Sequence, residues 1–185
     1  GISKDFMVSP VKRWQLVLGY ILSTWVVGAV TGLLMFTISQ AYIVLRGGDL
    51  ITFANAIKAI GLILLNVLAF SSFNFLIVSF FKTNAAFSTF STLVGTLIGF
   101  VTGVYVPIGV LPGFLQKLIL VVPATHGASM MRHLYMDASI AKISTEMPPE
   151  VLSEFLRVYG VNLHLNGSIL SMATMLFYIA ATGAL

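Results

Sequence analysis

The chain has 185 residues, of which 58% are hydrophobic and only 9% are charged. A soluble domain has about a quarter of its residues charged, so this composition excludes a water-soluble globule and indicates a protein surrounded by lipid. The net charge of +4 favours loops that face anionic lipid over nucleic-acid binding, and the absence of cysteine excludes a disulfide framework or a thiolate metal site.

Four stretches of the sequence carry no charged residue, namely 14–45, 59–81, 83–116 and 158–185. Each is long enough to cross the membrane, because a helix needs about 20 apolar residues to span a hydrocarbon core of about 30 Å. A membrane barrel would alternate apolar and polar residues instead, and these stretches do not. The pattern predicts an all-α, polytopic transmembrane helical bundle.

The N-terminal segment, residues 1–15, is polar and basic, and the first predicted span follows at 16–45. Within this span Thr24, Gly28 and Gly32 recur every four residues. Such a stripe of small residues lets another helix approach closely, although glycine is also common in membrane helices that have no such contact.

The second predicted span, 53–81, carries several polar side chains at membrane depth. They are Asn66, Ser71, Ser72 and Asn74. Polar groups at this depth face a partner helix or a cavity. They could line a substrate path or simply form hydrogen bonds with neighbouring helices, and the sequence leaves both open.

The third predicted span, 85–106, has the strongest packing signal in the chain. Small residues recur there at four-residue spacing, namely Ser91, Gly95, Gly99 and Gly103. We expect this face to pack against a helix of the same or of a second subunit.

Prolines and glycines within 107–113 interrupt the third charge-free stretch, because proline ends or kinks a helix. The apolar segment between them and Pro123 is too short to cross the membrane, so residues 107–140 predict a re-entrant or interfacial hairpin. The hydrophilic residues 141–166 predict an aqueous loop, and the last predicted span is 167–185.

Two segments resemble the membrane-spanning subunit of an ABC-2 type exporter. The first, KDFMVSPVKRWQLVLGYIL, is similar to the cytoplasmic segment that precedes the third span of that family. The second, TGVYVPIGVLPGFLQKLILVVPATHGASMMRHLYM at 102–136, is similar to the family signature, a proline-ended fifth span followed by a re-entrant hairpin. The chain thus resembles the C-terminal portion of an ABC-2 type permease subunit, about spans three to six, and we expect a longer protein to supply the first two.

The resemblance implies two groups of functional residues. The segment that would contact an ABC ATPase subunit comprises Lys4, Asp5, Phe6, Ser9 and Pro10. The re-entrant hairpin would depend on Pro107, Leu111, Pro112, Pro123 and Arg132. ATP and Mg would bind the partner ATPase, and we expect no cofactor in this chain, whose sequence lacks a Gly-rich phosphate loop.

The implied function is ATP-driven export of a substrate such as a drug, lipid or polysaccharide by two membrane subunits, as a homodimer in the cell membrane. The short segments before the first span and after the second hold more basic residues than the connection at Arg46. The positive-inside rule therefore favours a cytoplasmic N-terminus, which makes 141–166 extracellular.

Three alternatives stay open. A secondary transporter would more often carry an intramembrane carboxylate, and a scaffold would not need a proline-broken hairpin. An intramembrane enzyme could use Ser129 and His133, four residues apart, but no motif supplies an oxyanion hole.

A metal between His126 and His133 lacks a third ligand at suitable spacing. Arg132 could pair with Asp137, cap the hairpin or attract an anionic substrate.

Overall fold

The computed structural model describes residues 12–145, 147–165 and 167–184. In this part of the chain the α-helices are α1 (Arg13–Leu45), α2 (Phe53–Val78), α3 (Asn84–Val101), α4 (Gly113–Ile119), α5 (Pro123–Ile143), α6 (Pro149–Val158) and α7 (Met172–Gly183). A 3₁₀ turn covers Ile108–Val110, and the two short strands β1 (His164–Leu165) and β2 (Ser168–Ile169) form an antiparallel pair. The predicted all-α polytopic bundle is confirmed.

Helices α1, α2 and α3 are each long and apolar enough to cross a membrane, and α7 is apolar but shorter. Many of their large apolar side chains are exposed within the chain, among them Val27 on α1 and Phe177 on α7. An apolar helix that the protein itself does not cover has lipid or another membrane helix as its neighbour. The predicted span 167–185 contains a shorter helix, because Ser168–Ile169 pairs with β1 and Ser171 caps α7 by accepting from the Thr174 amide.

Helix α2 is the centre of the bundle and packs against α1, α5 and α7. Its Ala59 and Ala69 are fully buried, and the small side chains let the neighbouring helices approach. Leu62 and Ala69 form an apolar cluster with Ile179 of α7, against which Met130 of α5 packs.

Two glycines of α1 lie at its contact with α2. A Cβ atom at Gly28 would lie 2.5 Å from Cγ1 of Val67, and one at Gly32 would lie 2.8 Å from Cγ2 of Ile63. Nearby, the indole Nε1 of Trp25 donates to the Leu64 carbonyl at 2.8 Å. This part of the predicted small-residue stripe therefore lies where two helices meet.

Helix α3 ends earlier than Pro107 predicts. Thr102 caps it, and Gly103 follows with φ +72°, a conformation that glycine adopts at little cost. The amides of Val104 and Tyr105 then bond to the Gly99 carbonyl, at 2.8 and 3.1 Å. The helix is thus terminated by a left-handed glycine turn, five residues before the end of the predicted span at 106.

Candidate functional site

The α4–α5 hairpin occupies the region predicted from its prolines. Pro123 takes the first turn of α5, where its missing amide is no loss. The buried Thr125 hydroxyl lies 2.7 Å from the Ile119 carbonyl and 3.2 Å from the Val101 carbonyl. One side chain therefore closes the hairpin tip and joins it to the end of α3.

The hairpin tip reaches the middle of α2. A Cβ atom at Gly127 would overlap the side-chain amide of Asn66, which lies halfway along α2. At the other end of α5, the Asn55 amide donates to Asp137 at 3.1 Å, and Asn55 lies in the first turn of α2. Gly127 therefore lies beside the midpoint of α2, and Asp137 lies beside the end of α2 that follows the α1–α2 connection.

Arg132 binds three backbone carbonyls from two separate turns. Its Nη2 donates to Thr102 and Gly103 at 2.6 and 3.0 Å, and its Nη1 donates to Gly160 at 3.4 Å. These carbonyls follow the ends of α3 and α6, where unpaired carbonyls carry partial negative charge. Within the described residues, Arg132 has no carboxylate partner. The side chain joins α5 to two helix ends.

The remaining predicted hairpin residues lie in the segment that connects α3 to α4. Pro107 precedes the 3₁₀ turn, and Pro112 precedes α4. The Leu111 carbonyl accepts from the Gln116 side chain at 2.7 Å, and Leu111 packs against the buried cluster of Ile108 and Ile119.

The predicted aqueous loop 141–166 contains α6 and is fastened to the hairpin. The buried Ser129 hydroxyl donates to the Val161 carbonyl at 2.7 Å, and a Cβ atom at Gly109 would lie 2.6 Å from Cα of Val158. Leu163 is 1% exposed and joins the buried cluster of Ile108, Ile119 and Met175. In this geometry the Ser129 hydroxyl donates to Val161 and not to His133.

Helix α6 itself remains largely open to its surroundings. Its Arg157 side chain donates to both carboxylate oxygens of Glu154, at 2.8 and 2.6 Å. This hydrogen-bonded pair lowers the pKa of Glu154 below its ordinary value. The pair is exposed on both sides, so it contributes little to stability.

A buried polar group lies at the hairpin tip. The His126 Nε2 lies 2.7 Å from the Leu120 carbonyl, and its ring lies 4.6 Å from that of Tyr178, whose hydroxyl donates to the Val121 carbonyl. No cluster of three His, Cys, Asp or Glu side chains suited to a metal occurs in the described ranges.

A cavity of about 670 Å³ lies between α1, α2 and the first half of α3. Its wall is mainly apolar, and the small or polar residues among its lining are Tyr20, Thr24, Ser71, Asn74, Ser91 and Gly95. The structure thus brings polar residues of the second predicted span to the same cavity as members of both small-residue stripes. Gly95 has no atom within 4 Å of an added Cβ.

The other two glycines of the second stripe have local contacts instead. A Cβ atom at Gly99 would overlap the ring of Tyr105, and one at Gly103 would lie 2.7 Å from Cγ1 of Ile108. Gly99 and Gly103 therefore lie at the turn that ends α3, whereas Ser91 and Gly95 are exposed along the helix.

The predicted coupling residues Lys4, Asp5, Phe6, Ser9 and Pro10 lie outside the described residues. The contacts that sequence reasoning missed are those of Thr125, Ser129 and Trp25 with backbone carbonyls. Their only sequence signal is a polar side chain within an apolar segment, which does not identify the partner.

The helices and the hairpin define a multi-pass α-helical membrane protein. A family model described as "ABC-2 family transporter protein" matches residues 1–185, so the chain belongs to that family. The resemblance drawn from the two sequence segments is therefore confirmed. Members of this family are membrane components of ABC transporters, and they generally work with ATPase subunits. Searches of curated proteins and of solved structures gave no match.

Proposed function

We propose that this chain is the permease of an ATP-driven ABC-2 exporter, and that the cavity between α1, α2 and α3 is part of its substrate path. The observation that carries the proposal is the composition of the cavity, a mainly apolar wall with a few polar groups such as Asn74 and Ser71. Pockets of this kind bind molecules that are largely apolar and carry a few hydrogen-bonding groups. The proposed substrates are accordingly amphipathic, such as a drug or a lipid-linked molecule.

Helix α3 supports a pathway shared by two membrane subunits. In the described chain, α3 is absent from the extensive helix–helix packing that joins α1, α2, α5 and α7. Its first half exposes Ser88, Ser91 and Thr92. Small and hydroxyl side chains favour close helix contact in membranes, so we place a second copy of α3 against this face.

In the proposed mechanism, an ATPase dimer binds on the cytoplasmic side, and its closure moves the segment Lys4–Pro10. That motion shifts α1 relative to α3 and opens the cavity, while the hairpin and α6 lie on the outer side. ATP and Mg act in the ATPase subunit. The charge-free spans contain no carboxylate for coupling to an ion gradient, which favours ATP as the energy source.

The test is to reconstitute the full-length protein with its ATPase subunit and measure ATP hydrolysis and transport. Replacing Lys4, Asp5 and Phe6 together by alanine should remove the stimulation of ATP hydrolysis, while Lys117→Ala, at an exposed lysine of α4, should leave it unchanged. Transport driven by an ion gradient without any ATPase would contradict the proposal and favour a secondary transporter.

A further inference from the structure

A second, smaller cavity of about 250 Å³ lies where α1 ends and α2 begins, against α5. Residues of the α1–α2 connection, 48–52, form one wall, and Gln40, Tyr135 and Lys142 contribute polar groups from the helices. It is separate from the proposed substrate cavity, which lies along the other halves of α1 and α2.

Gln40 places an unpartnered hydrogen-bond donor in this region. The residue is 8% exposed, and its Oε1 accepts from the Ile51 amide at 3.2 Å. This bond fixes the orientation of the side-chain amide, because the reversed orientation would set two donors against each other. The Nε2 group is therefore a buried donor, and it has no partner in the described structure. Buried donors are costly to leave unpaired, so an oxygen acceptor is expected here.

Two opposite charges flank the same cavity. Lys142 Nζ lies 3.5 Å from Asp49 Oδ2, and both side chains are largely exposed. A solvated pair of this kind holds its partners weakly, so both charges are available to a ligand. An anion alone would be repelled by the carboxylate of Asp49, and a cation alone would be repelled by the ammonium of Lys142. A zwitterion satisfies both and can also offer an oxygen atom to Gln40.

The surroundings of the cavity indicate a lipid as the source of that zwitterion. The cavity lies at the end of the apolar run 14–45, where Asp49 is among the first charged residues. Around it Leu45, Leu50 and Phe53 are 84%, 65% and 80% exposed. Apolar side chains beside polar groups at a span end lie at the boundary between acyl chains and headgroups.

We propose that this cavity binds the headgroup of phosphatidylethanolamine. Phosphate oxygens accept from Lys142 Nζ and also from Gln40 Nε2, once a shift of the residues that cover this buried donor opens it to the cavity. The primary ammonium donates to Asp49. A choline headgroup has no N–H to donate, and a phosphoglycerol headgroup brings a negative charge without a compensating cation. The site therefore distinguishes these three lipids by chemistry that its own side chains supply.

The experiment is native mass spectrometry of the full-length protein in detergent, titrated with short-chain phosphatidylethanolamine, phosphatidylcholine or phosphatidylglycerol. We expect phosphatidylethanolamine to bind about tenfold more tightly than the other two, since about one charge-assisted hydrogen bond separates them. Gln40→Glu keeps the acceptor for Ile51 and removes the donor. That variant, Lys142→Gln and Asp49→Asn should each weaken binding by about tenfold. Lys117→Gln, a lysine outside the cavity, should bind as the unchanged protein does.

Equal binding of the three lipids, or unchanged binding in the three cavity variants, would overturn the proposal and leave ordered water as the partner of Gln40. Displacement of the lipid by an equal concentration of water-soluble phosphoethanolamine would overturn the lipid as the source. Thermal denaturation of each variant identifies any that is misfolded. The measurement needs no ATPase, so its outcome is independent of the proposed transport function.

Discussion

Arg132 shows how one side chain can determine the arrangement of several elements. Its three hydrogen bonds reach residues 28 to 30 positions away, on both sides in the sequence. Because all three acceptors are carbonyls at helix ends, the guanidinium satisfies groups that the helices cannot satisfy themselves. Its fork of donors suits this task, whereas a lysine ammonium has a single nitrogen.

We expect Arg132→Gln to lower the apparent Tm by about 5 °C, since hydrogen bonds from a charged group contribute about 2 kcal/mol and this is about the shift that such a loss gives in a chain of this size. Thermal denaturation in detergent measures the change. Arg157→Gln removes an exposed pair and should shift Tm by about 1 °C or less. Equal Tm shifts for the two variants would show that the carbonyl contacts of Arg132 stabilise the protein no more than an exposed ion pair does.

At the scale of elements, the contact between α1 and α2 depends on the absence of side chains. Val67 and Ile63 of α2 occupy the space that side chains at Gly28 and Gly32 would need. Close backbone approach gives dispersion contacts along the helices, and in lipid this packing takes the place of a hydrophobic driving force.

Gly28→Leu should therefore destabilise the protein by about 1–3 kcal/mol, as expected for overpacking of a close contact. Gly19→Leu on the same helix is the matched control, because an added Cβ there has nothing within 4 Å. Thermal denaturation of the two variants under identical detergent conditions compares them. A Tm for Gly28→Leu at or above that of Gly19→Leu would show that the contact tolerates a side chain.

At the scale of the whole molecule, the described chain consists of a packed part and one helix, α3, that is joined to it at its C-terminal end. Helices α1, α2, α5 and α7 pack together, and the hairpin and α6 are fastened to one another near the end of α3. The first half of α3 lies apart from this packing and exposes polar and small residues. That arrangement leaves the cavity open on one side, which is the basis for the proposed second subunit.

If two copies meet at α3, a single cysteine at Thr92 should form a disulfide between copies in native membranes. Residues 1–185 contain no cysteine, so the introduced residue is the only thiol in this part of the protein. The unsubstituted protein, oxidised in parallel, gives the baseline. Phe177→Cys on α7, a position that is 75% exposed, is the control and should give little dimer. Non-reducing gel electrophoresis after mild oxidation measures both, and a dimer from Phe177→Cys but not from Thr92→Cys would place the interface on α7.

The sequence by itself determined that this protein is a multi-pass helical membrane protein with a broken segment after its third span. These features depend on local composition, because the cost of burying charge in lipid and the geometry of proline act at each position independently of the fold. The resemblance to the ABC-2 family likewise rests on local sequence, namely two short segments that occur in the family's order.

Only the tertiary structure decided which small and polar residues have which partners. Gly28 and Gly99 both belong to stripes of small residues at four-residue spacing, yet Gly28 lies against another helix and Gly99 against the ring of Tyr105. From the sequence, Arg132 could have paired with a carboxylate or donated to carbonyls. It donates to carbonyls because the ends of α3 and α6 come together beside α5. Spacing along a helix fixes the face on which a residue lies, but the neighbour of that face depends on how distant segments fold back.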